Sequence, residues 1–162
     1  MTLGLIYARL GRPQQEAQRE LQNAVLSDPD LADAHYNLAL LLASQPEASE
    51  AVSLDPANSE YRLLLANLLA DQNQYKAAAS QYAEVIKRSP QMAEADNNLG
   101  LLFLKQGDLK KALGEEQEAI RKKPDYAAAH YNLGLVLSQL GKAAEAQTQF
   151  NQAHSLDPTL SH

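Results

Sequence analysis

The sequence contains no cysteine among its 162 residues. This absence excludes a disulfide framework, a thiolate zinc site and a cysteine nucleophile. It does not fix the compartment, because many exported proteins also lack cysteine. The cytoplasm is favoured, and the periplasm stays open if a signal has been removed.

Long hydrophobic runs are also missing. The longest, such as residues 38–43, are far shorter than the roughly 20 residues that a membrane-spanning helix needs. The first 17 residues lack the basic start, long apolar stretch and small-residue cleavage site of a secretory signal. The sequence therefore predicts neither a transmembrane helix nor a signal peptide.

An excess of positive charge is absent too. The chain has 14 basic and 20 acidic side chains, which gives a formal net charge of -6. Neither nucleic acid nor an anionic membrane is therefore predicted as a partner. The hydrophobic content of 45% is high enough for a sizeable core.

What the chain does have is a repeated phrase. Residues 34–56 read AHYNLALLLASQPEASEAVSLDP, and residues 129–158 read AHYNLGLVLSQLGKAAEAQTQFNQAHSLDP. One proline closes each of five such phrases, at spacings of 27, 34, 34 and 34 residues. These prolines are Pro29, Pro56, Pro90, Pro124 and Pro158.

The last three phrases carry the same residue types at the same offsets. Apolar residues recur three and four positions apart on both sides of a breaker, which predicts two amphipathic helices in each phrase. The breakers can adopt the left-handed conformation that ends a helix, and the proline separates one pair from the next. Small residues such as Gly100 and Ala112 let the two helices of a pair approach closely. The breakers are Asn73, Gly107 and Gly141.

This pattern resembles the tetratricopeptide repeat (TPR) family, and it is closest in style to the arrays of bacterial scaffold proteins and O-GlcNAc transferase. The resemblance implies an all-α TPR α-solenoid, a right-handed superhelix of antiparallel helix pairs whose first helices line a concave groove. We expect a single domain over residues 1–162 with about four and a half repeats. Their approximate ranges are 1–31 (partial), 32–58 (shortened), 59–92, 93–126 and 127–160.

The first phrase matches through Leu3, Gly4, Tyr7 and Gly11 if one residue is inserted within residues 12–16. The chain begins part-way through a first helix, and no polar capping helix follows Pro158. Repeat arrays normally need such caps. We therefore expect either a piece of a longer protein or an oligomer in which ends cover ends.

The second repeat lacks seven residues around Ser44 to Pro46, where the turn and the start of its second helix belong. In one interpretation, Ser44 or Gln45 caps a short second helix with Pro46 in its first turn. In the other, residues 32–54 form one helix kinked at Pro46, and the preceding half repeat packs on another chain.

The fourth repeat departs from the pattern in its second helix. Glu116 stands where Tyr82 and Phe150 place an aromatic ring, and Gly114 lies two residues earlier. A glycine inside a helix costs about 1 kcal/mol, so a locally loose helix is expected. The acidic residues here are expected to form a mostly solvated helix face. They are Glu115, Glu116 and Glu118.

Candidate binding residues recur on the first helices. Asn37, Asn98 and Asn132 share one position, which the family resemblance places on the concave groove. In O-GlcNAc transferase, asparagines there bind the backbone of extended peptides, and an amide offers both a donor and an acceptor for that task. Ordinary solvated consensus residues are the alternative. Other candidates around them are Tyr36, Asn67, Asn97 and Tyr131.

Three acidic residues near the starts of the first helices, Asp33, Glu60 and Glu94, give the groove mouth a mild acidic bias or simply complement the helix dipole. Chaperone-tail clamps use Lys and Arg in the groove, and such residues are missing here. The corresponding positions are Glu94 and Asn98, or Ala128 and Asn132.

No catalytic, metal or cofactor site is predicted. The four histidines lack the helical spacing and carboxylate neighbours of a zinc site. We find no phosphate-binding loop and no nucleophile with a base and an orienting group. The histidines are His35, His130, His154 and His162.

The sequence thus predicts a non-catalytic protein-interaction scaffold that binds a peptide segment or a partner helix in its groove. One alternative is a structural module that self-assembles into homo-oligomers through its ends or its shortened repeat. Another is the substrate-selecting arm of a larger enzyme, such as a glycosyltransferase. The identity of the partner does not follow from the residues, because one fold serves many functions.

Overall fold

The computed structural model describes residues 14–160, and these residues form nine α-helices and no strand. The all-α prediction is confirmed. The predicted first-helix residues Leu3 to Gly11 lie outside the described part. The helices are α1 Gln14–Ser27, α2 Ala32–Leu42, α3 Gln45–Leu54, α4 Ser59–Asp71, α5 Tyr75–Arg88, α6 Ala93–Lys105, α7 Leu109–Lys122, α8 Ala127–Gln139 and α9 Ala143–Leu156.

The chain divides into two compact units, Met1–Gln81 and Tyr82–His162. In the first unit, α1 packs on α2, α2 on α3 and α3 on α4. In the second unit, α6 pairs with α7, α7 packs on α8, and α8 pairs with α9. The first helices α6 and α8 also contact each other directly. Within each unit these helices therefore pack mainly on their neighbours in the sequence, as stacked repeats do.

The predicted breakers end the first helices in the expected way. Asn73, Gly107 and Gly141 have φ angles of 60, 76 and 77°. These values lie in the left-handed region, which glycine and asparagine tolerate better than other residues. The backbone can then turn back into the second helix of each repeat.

The shortened repeat consists of two helices, so the alternative of one kinked helix is wrong. Compared with the next repeat, the first helix has 11 residues against 13, the turn two against three, and the second helix 10 against 14. Ser44 is the N-cap residue of α3, with Pro46 in its first turn. Ala43 ends α2 with a φ of 49°. The missing residues thus shorten both helices and the turn between them. Ala43 takes the left-handed conformation that glycine or asparagine adopts at the end of the other first helices.

Small residues bring the helices of a pair together, as predicted. A Cβ atom on Gly134 of α8 would lie only 2.5 Å from the ring of Phe150 in α9. The ring therefore packs directly on the backbone of α8. Phe150 belongs to a core cluster whose buried members also include Leu133, Leu137 and Ala146. Burying such a ring contributes about 2 kcal/mol.

The expectations for the fourth repeat need correction. Helix α7 continues without a break through Gly114. Glu116 is 0% exposed, so it does not belong to a solvated face, whereas Glu118 is exposed. The physical reason is its position: the site that holds Phe150 in the last repeat faces the first helix of the pair, and Glu116 occupies that site against Gly100. Packing of the surrounding helices fixes its burial whatever its polarity.

Candidate functional site

Three of the first helices carry a polar donor six residues after the closing proline, and it bonds back to that proline's carbonyl oxygen. The donor–acceptor distances are 3.1 Å for His35 Nε2, 3.0 Å for Arg62 Nη2 and 2.9 Å for His130 Nε2. Because a carbonyl only accepts, each of these nitrogens donates. The contact fastens the inter-repeat loop to the helix that follows it. The three carbonyls belong to Pro29, Pro56 and Pro124.

The same three side chains also reach the second helix of their own repeat. His35 Nδ1 lies 2.6 Å from a Glu47 carboxylate oxygen, and His130 Nδ1 lies 2.8 Å from the Gln149 amide oxygen. Arg62 donates to Gln81 at 2.8 Å. The sequence analysis considered the histidines only as candidate metal ligands. It did not predict that they bond to the preceding loop and to the second helix of their repeat. Their shared spacing from the preceding proline was the available signal.

The fourth repeat has an acidic residue at this position. Asp96 cannot donate to a carbonyl, and it pairs instead with Lys122 at the end of α7, with 2.5 Å between Nζ and Oδ2. The two side chains are only 3% and 5% exposed. This buried ion pair ties α6 to α7 in place of the bonds seen in the other repeats.

The asparagine candidates of the second unit meet in one cluster. Asn132 of α8 donates to Asn97 Oδ1 at 2.9 Å, and Asn97 in turn donates to Asn98 Oδ1 at 3.0 Å. Asn97 and Asn132 are buried, whereas Asn98 is half-buried. We call these three residues the asparagine cluster. It crosses from α8 to α6 and ends at an amide that solvent can reach.

Tyr131 lies next to the asparagine cluster on α8. Its ring packs on that of Phe150 with 5.6 Å between centroids, and it borders the core cluster around Leu133. The ring is half-buried, so part of it contributes to packing and part remains accessible.

The candidates of the first unit form a separate patch. Asn37 donates to the backbone oxygen of Asp33 at 2.7 Å, and the Tyr36 ring packs on Tyr61 with 4.9 Å between centroids. The Tyr61 hydroxyl donates to Asp33. Burial, and then this bond to Asp33, raises the pKa of Tyr61 to about 12. Asn67 is half-buried on α4. Asn37 therefore belongs to one compact unit and the asparagine cluster to the other.

Glu116 lies beside the asparagine cluster, and it is the most unusual group of the second unit. Neither of its carboxyl oxygens meets the distance and angle of a regular hydrogen bond, although the Asn132 amide lies close enough to favour the charged form. Burial raises its pKa to about 9, an effect that the Asn132 amide opposes and that Glu115 and Asp96 reinforce. The carboxyl group is therefore neutral at pH 7. The sequence shows a glutamate where two other repeats have an aromatic residue, but it did not predict that this glutamate is buried.

The first unit is strongly acidic. Residues 1–81 contain 10 acidic and five basic side chains, whereas residues 82–162 contain 10 acidic and nine basic ones. Between Arg19 and Arg62, 42 consecutive residues include eight acidic residues and neither lysine nor arginine. An open cleft of about 380 Å³ lies at the shortened repeat. It is lined by Pro29, His35, Pro46, Glu47 and Glu50.

Within residues 14–160, no three histidine or acidic side chains lie close enough together to hold a metal ion. None of the described helices is long and apolar enough to cross a membrane. The solvent-facing side of α9 is mostly polar, since its buried residues are only Ala146, Phe150 and Ala153.

Comparisons with known proteins point to one family. The tetratricopeptide repeat family matches residues 1–55 and 63–127, and a second tetratricopeptide repeat description matches residues 127–160. None of the curated proteins matches the chain.

Several solved structures share the fold. MamA from Desulfovibrio magneticus RS-1 has 21% identity and a TM-score of 0.82, over 98% of this chain and 93% of that one. PilF of Pseudomonas aeruginosa has 22% identity and a TM-score of 0.81, over 94% and 72%. YrrB, described as a TPR protein with an unusual peptide-binding site, has 18% identity and a TM-score of 0.72, over 94% and 82%. At these identities the likeness shows the fold alone.

Proposed function

Because the chain belongs to the tetratricopeptide repeat family, we propose that it is a non-catalytic scaffold that binds an extended segment of a partner protein. The contact surface is the face formed by the first helices α6 and α8, with the candidates on α2 and α4 as a second contact patch. Proteins of this family typically act through protein–protein contacts. YrrB, which shares the fold, is described by its peptide-binding site.

The asparagine cluster is the observation that carries this proposal. Its hydrogen bonds orient the buried amides of Asn97 and Asn132, and Asn98 is the member nearest to solvent. An amide held in a fixed orientation can donate to a peptide carbonyl and accept from a peptide N–H, whatever the side chains of that peptide. Pre-orientation also lowers the entropy that binding costs. The half-buried ring of Tyr131 adds apolar contact area beside it.

The charge distribution favours a basic partner segment. The 42 residues without lysine or arginine cover the whole shortened repeat, and Asp33 and Glu60 stand at the starts of the first helices in this unit. A surface of one sign speeds the encounter with an oppositely charged partner and disfavours like-charged ones. Lysine or arginine side chains of the partner would also form cation–π contacts with the Tyr36 ring, which lies close to the acidic residues.

The test is a peptide array with matched basic, neutral and acidic nonapeptides, followed by fluorescence anisotropy with the tightest peptide. We expect basic peptides to bind most tightly and to weaken as salt rises from 50 to 300 mM, because screening shortens the range of the interaction. Replacing Asn98 by Ala should weaken binding by about tenfold, the equivalent of one well-made hydrogen bond.

The matched control is Asn151→Ala, which removes an exposed amide from α9. It should leave affinity unchanged. Equal effects of the two substitutions, or no peptide bound at millimolar concentration, would contradict the proposal. Tighter binding of the acidic peptides would overturn the charge argument but leave the asparagine cluster as a candidate site.

A further inference from the structure

His35 of the shortened repeat is bonded at both of its ring nitrogens. Its Nε2 lies 3.1 Å from the Pro29 carbonyl oxygen in the loop before α2, and its Nδ1 lies 2.6 Å from a carboxylate oxygen of Glu47 on α3. The side chain is only 9% exposed. One buried ring therefore joins α2 both to the preceding loop and to α3.

The two contacts together require one proton more than a neutral ring and a carboxylate contain. The carbonyl oxygen of Pro29 only accepts, so Nε2 must donate to it. Nδ1 then faces the Glu47 carboxylate, and a proton must lie between these two atoms, on the nitrogen or on the oxygen. A neutral ring beside a carboxylate has a single N–H group, so it can hold Glu47 or the Pro29 carbonyl, but not both.

The last repeat has the same arrangement without this requirement. His130 Nε2 lies 2.9 Å from the Pro124 carbonyl oxygen, and Nδ1 lies 2.8 Å from the Gln149 amide oxygen. Rotating that amide by half a turn places its NH₂ group against Nδ1, so a neutral ring keeps both contacts. In the third repeat, Arg62 and Gln81 occupy these places, and an arginine stays charged. The shortened repeat alone among these three depends on a proton.

The surroundings of the ring supply no other cation to Glu47. Glu50 of α3 lines the same open cleft, and none of the described residues that line it is lysine or arginine. Two residues before His35, Asp33 accepts a bond from Tyr61 of α4. In the described part of the chain, no side chain of α1 bonds to the ring. Glu47 therefore has the ring as its bonded partner.

Loss of the shared proton to solvent leaves the neutral ring with two acceptors and one N–H group. A carboxylate accepts a stronger hydrogen bond than a carbonyl oxygen does, so the ring keeps its proton on Nδ1 and stays with Glu47. Pro29 is exposed, so water can replace the ring at its carbonyl oxygen. The contact with the loop is therefore the one that is lost.

We propose that His35 is a proton-dependent fastener: with the shared proton it holds Glu47 and the loop together, and without it the ring keeps Glu47 and releases the Pro29 carbonyl. The released loop joins α1 to α2, so this junction loosens as pH rises. The equivalent loop before α8 stays fastened. The device lies within the first compact unit, and it does not depend on the proposed function.

NMR of the chain labelled with ¹⁵N-histidine tests this inference between pH 5 and 9. At low pH both ring nitrogens of His35 should carry a proton. At high pH the neutral ring of His35 should carry its proton on Nδ1, whereas that of His130 should carry it on Nε2. Ring ¹⁵N chemical shifts distinguish these tautomers, so each histidine is the control for the other.

Reciprocal substitutions should exchange the two behaviours. Glu47→Gln should place the proton of neutral His35 on Nε2, and Gln149→Glu should place that of His130 on Nδ1. Glu50→Gln removes an exposed carboxylate from the same cleft and should change neither tautomer. If Glu47→Gln does not fold, Gln149→Glu tests the same rule in the other compact unit.

Backbone hydrogen exchange then measures the junction itself. The Ala34 N–H group, in the first turn of α2, bonds to the Leu31 carbonyl oxygen at 3.0 Å. Its protection, corrected for the intrinsic pH dependence of exchange, should fall about fivefold when the proton is lost, the equivalent of one net hydrogen bond. Glu47→Gln should remove this fall. A neutral His35 with its proton on Nε2, or Ala34 protection that is constant or falls equally without Glu47, would overturn the inference.

Discussion

The carboxyl group of Glu116 packs directly on the backbone of Gly100. A Cβ atom on that glycine would lie 2.6 Å from the carboxyl oxygen, too close for any real side chain. In the last repeat, the aromatic ring of Phe150 packs on Gly134 in the same way. The fourth repeat thus keeps the geometry of the family but replaces an apolar group by an ionisable one, which couples its stability to pH.

Replacing Glu116 by Gln should remove a pH dependence from folding. The carboxyl has a pKa of about 9 when folded, against an ordinary value of 4.5. Between these values the folded state holds a proton that the unfolded state has released, so the free energy of unfolding falls as pH rises. The expected slope is about 1.4 kcal/mol per pH unit, which amounts to a loss on the order of 3 kcal/mol at pH 7.

Urea denaturation at several pH values between 5 and 9 checks this slope. The difference in unfolding free energy between Glu116→Gln and the unmodified chain should grow steadily with pH. Glu118→Gln is the control, because this side chain is 50% exposed and salt-bridged only at the surface. Parallel pH profiles for all three proteins would show that Glu116 titrates normally.

Two glycines of the second unit should respond to alanine in opposite directions. Gly114 is exposed within α7, and a Cβ there meets nothing within 4 Å. Gly114→Ala should therefore stabilise the protein by about 1 kcal/mol through helix propensity. Gly134→Ala should destabilise it by about 1–3 kcal/mol, because the new methyl group overlaps the Phe150 ring.

Thermal unfolding of both variants measures this contrast. The double variant Gly134→Ala with Phe150→Leu separates overlap from propensity, since a smaller side chain leaves room for the methyl group. If Gly134→Ala proves as harmless as Gly114→Ala, the close approach of α8 and α9 is not as described.

The regular parts of the fold were predictable because local rules decide them. Breakers such as Gly107 and Gly141 end helices through backbone conformation alone, and the prolines stop them by sterics. The shortened repeat was harder, since its sequence allowed one helix or two. Ala43 separates the two helices in a left-handed conformation that alanine rarely adopts, so its residue type gave no signal of the break.

Ala43→Gly should consequently stabilise the shortened repeat. Alanine at a φ of 49° carries a steric cost of roughly 1 kcal/mol that glycine avoids. Gly107→Ala is the mirror experiment: its φ is 76° with open space around the Cβ position, so the loss should be of similar size. Chemical denaturation compares them, and the same sign for both substitutions would contradict the argument.

The binding candidates were predicted with less detail than the fold. The shared position of the asparagines is visible in the sequence, but the bond from Asn132 to Asn97 depends on how α8 packs on α6. The burial of Glu116 likewise follows from its neighbours and not from its polarity. Side-chain networks that cross helices are set by tertiary packing, which a pattern of residue types does not encode.

The buried pair of Asp96 and Lys122 should be strongly coupled in stability. Asp96→Leu or Lys122→Met alone leaves one charge buried without its partner, which typically costs about 3–5 kcal/mol. Replacing both, as Asp96→Leu with Lys122→Met, should cost less than either single change, because no charge then remains to be desolvated. The surface pair of Lys142 and Glu145 is the control.

The control pair is 49% and 59% exposed, so a double-mutant cycle there should give a coupling below about 1 kcal/mol. Denaturation of the four variants of each pair yields the two coupling energies. A large coupling for the buried pair would show that each of its charges depends on the other for its burial. Equal couplings for the two pairs would instead contradict the burial of Asp96 and Lys122, because exposed charges are screened by solvent.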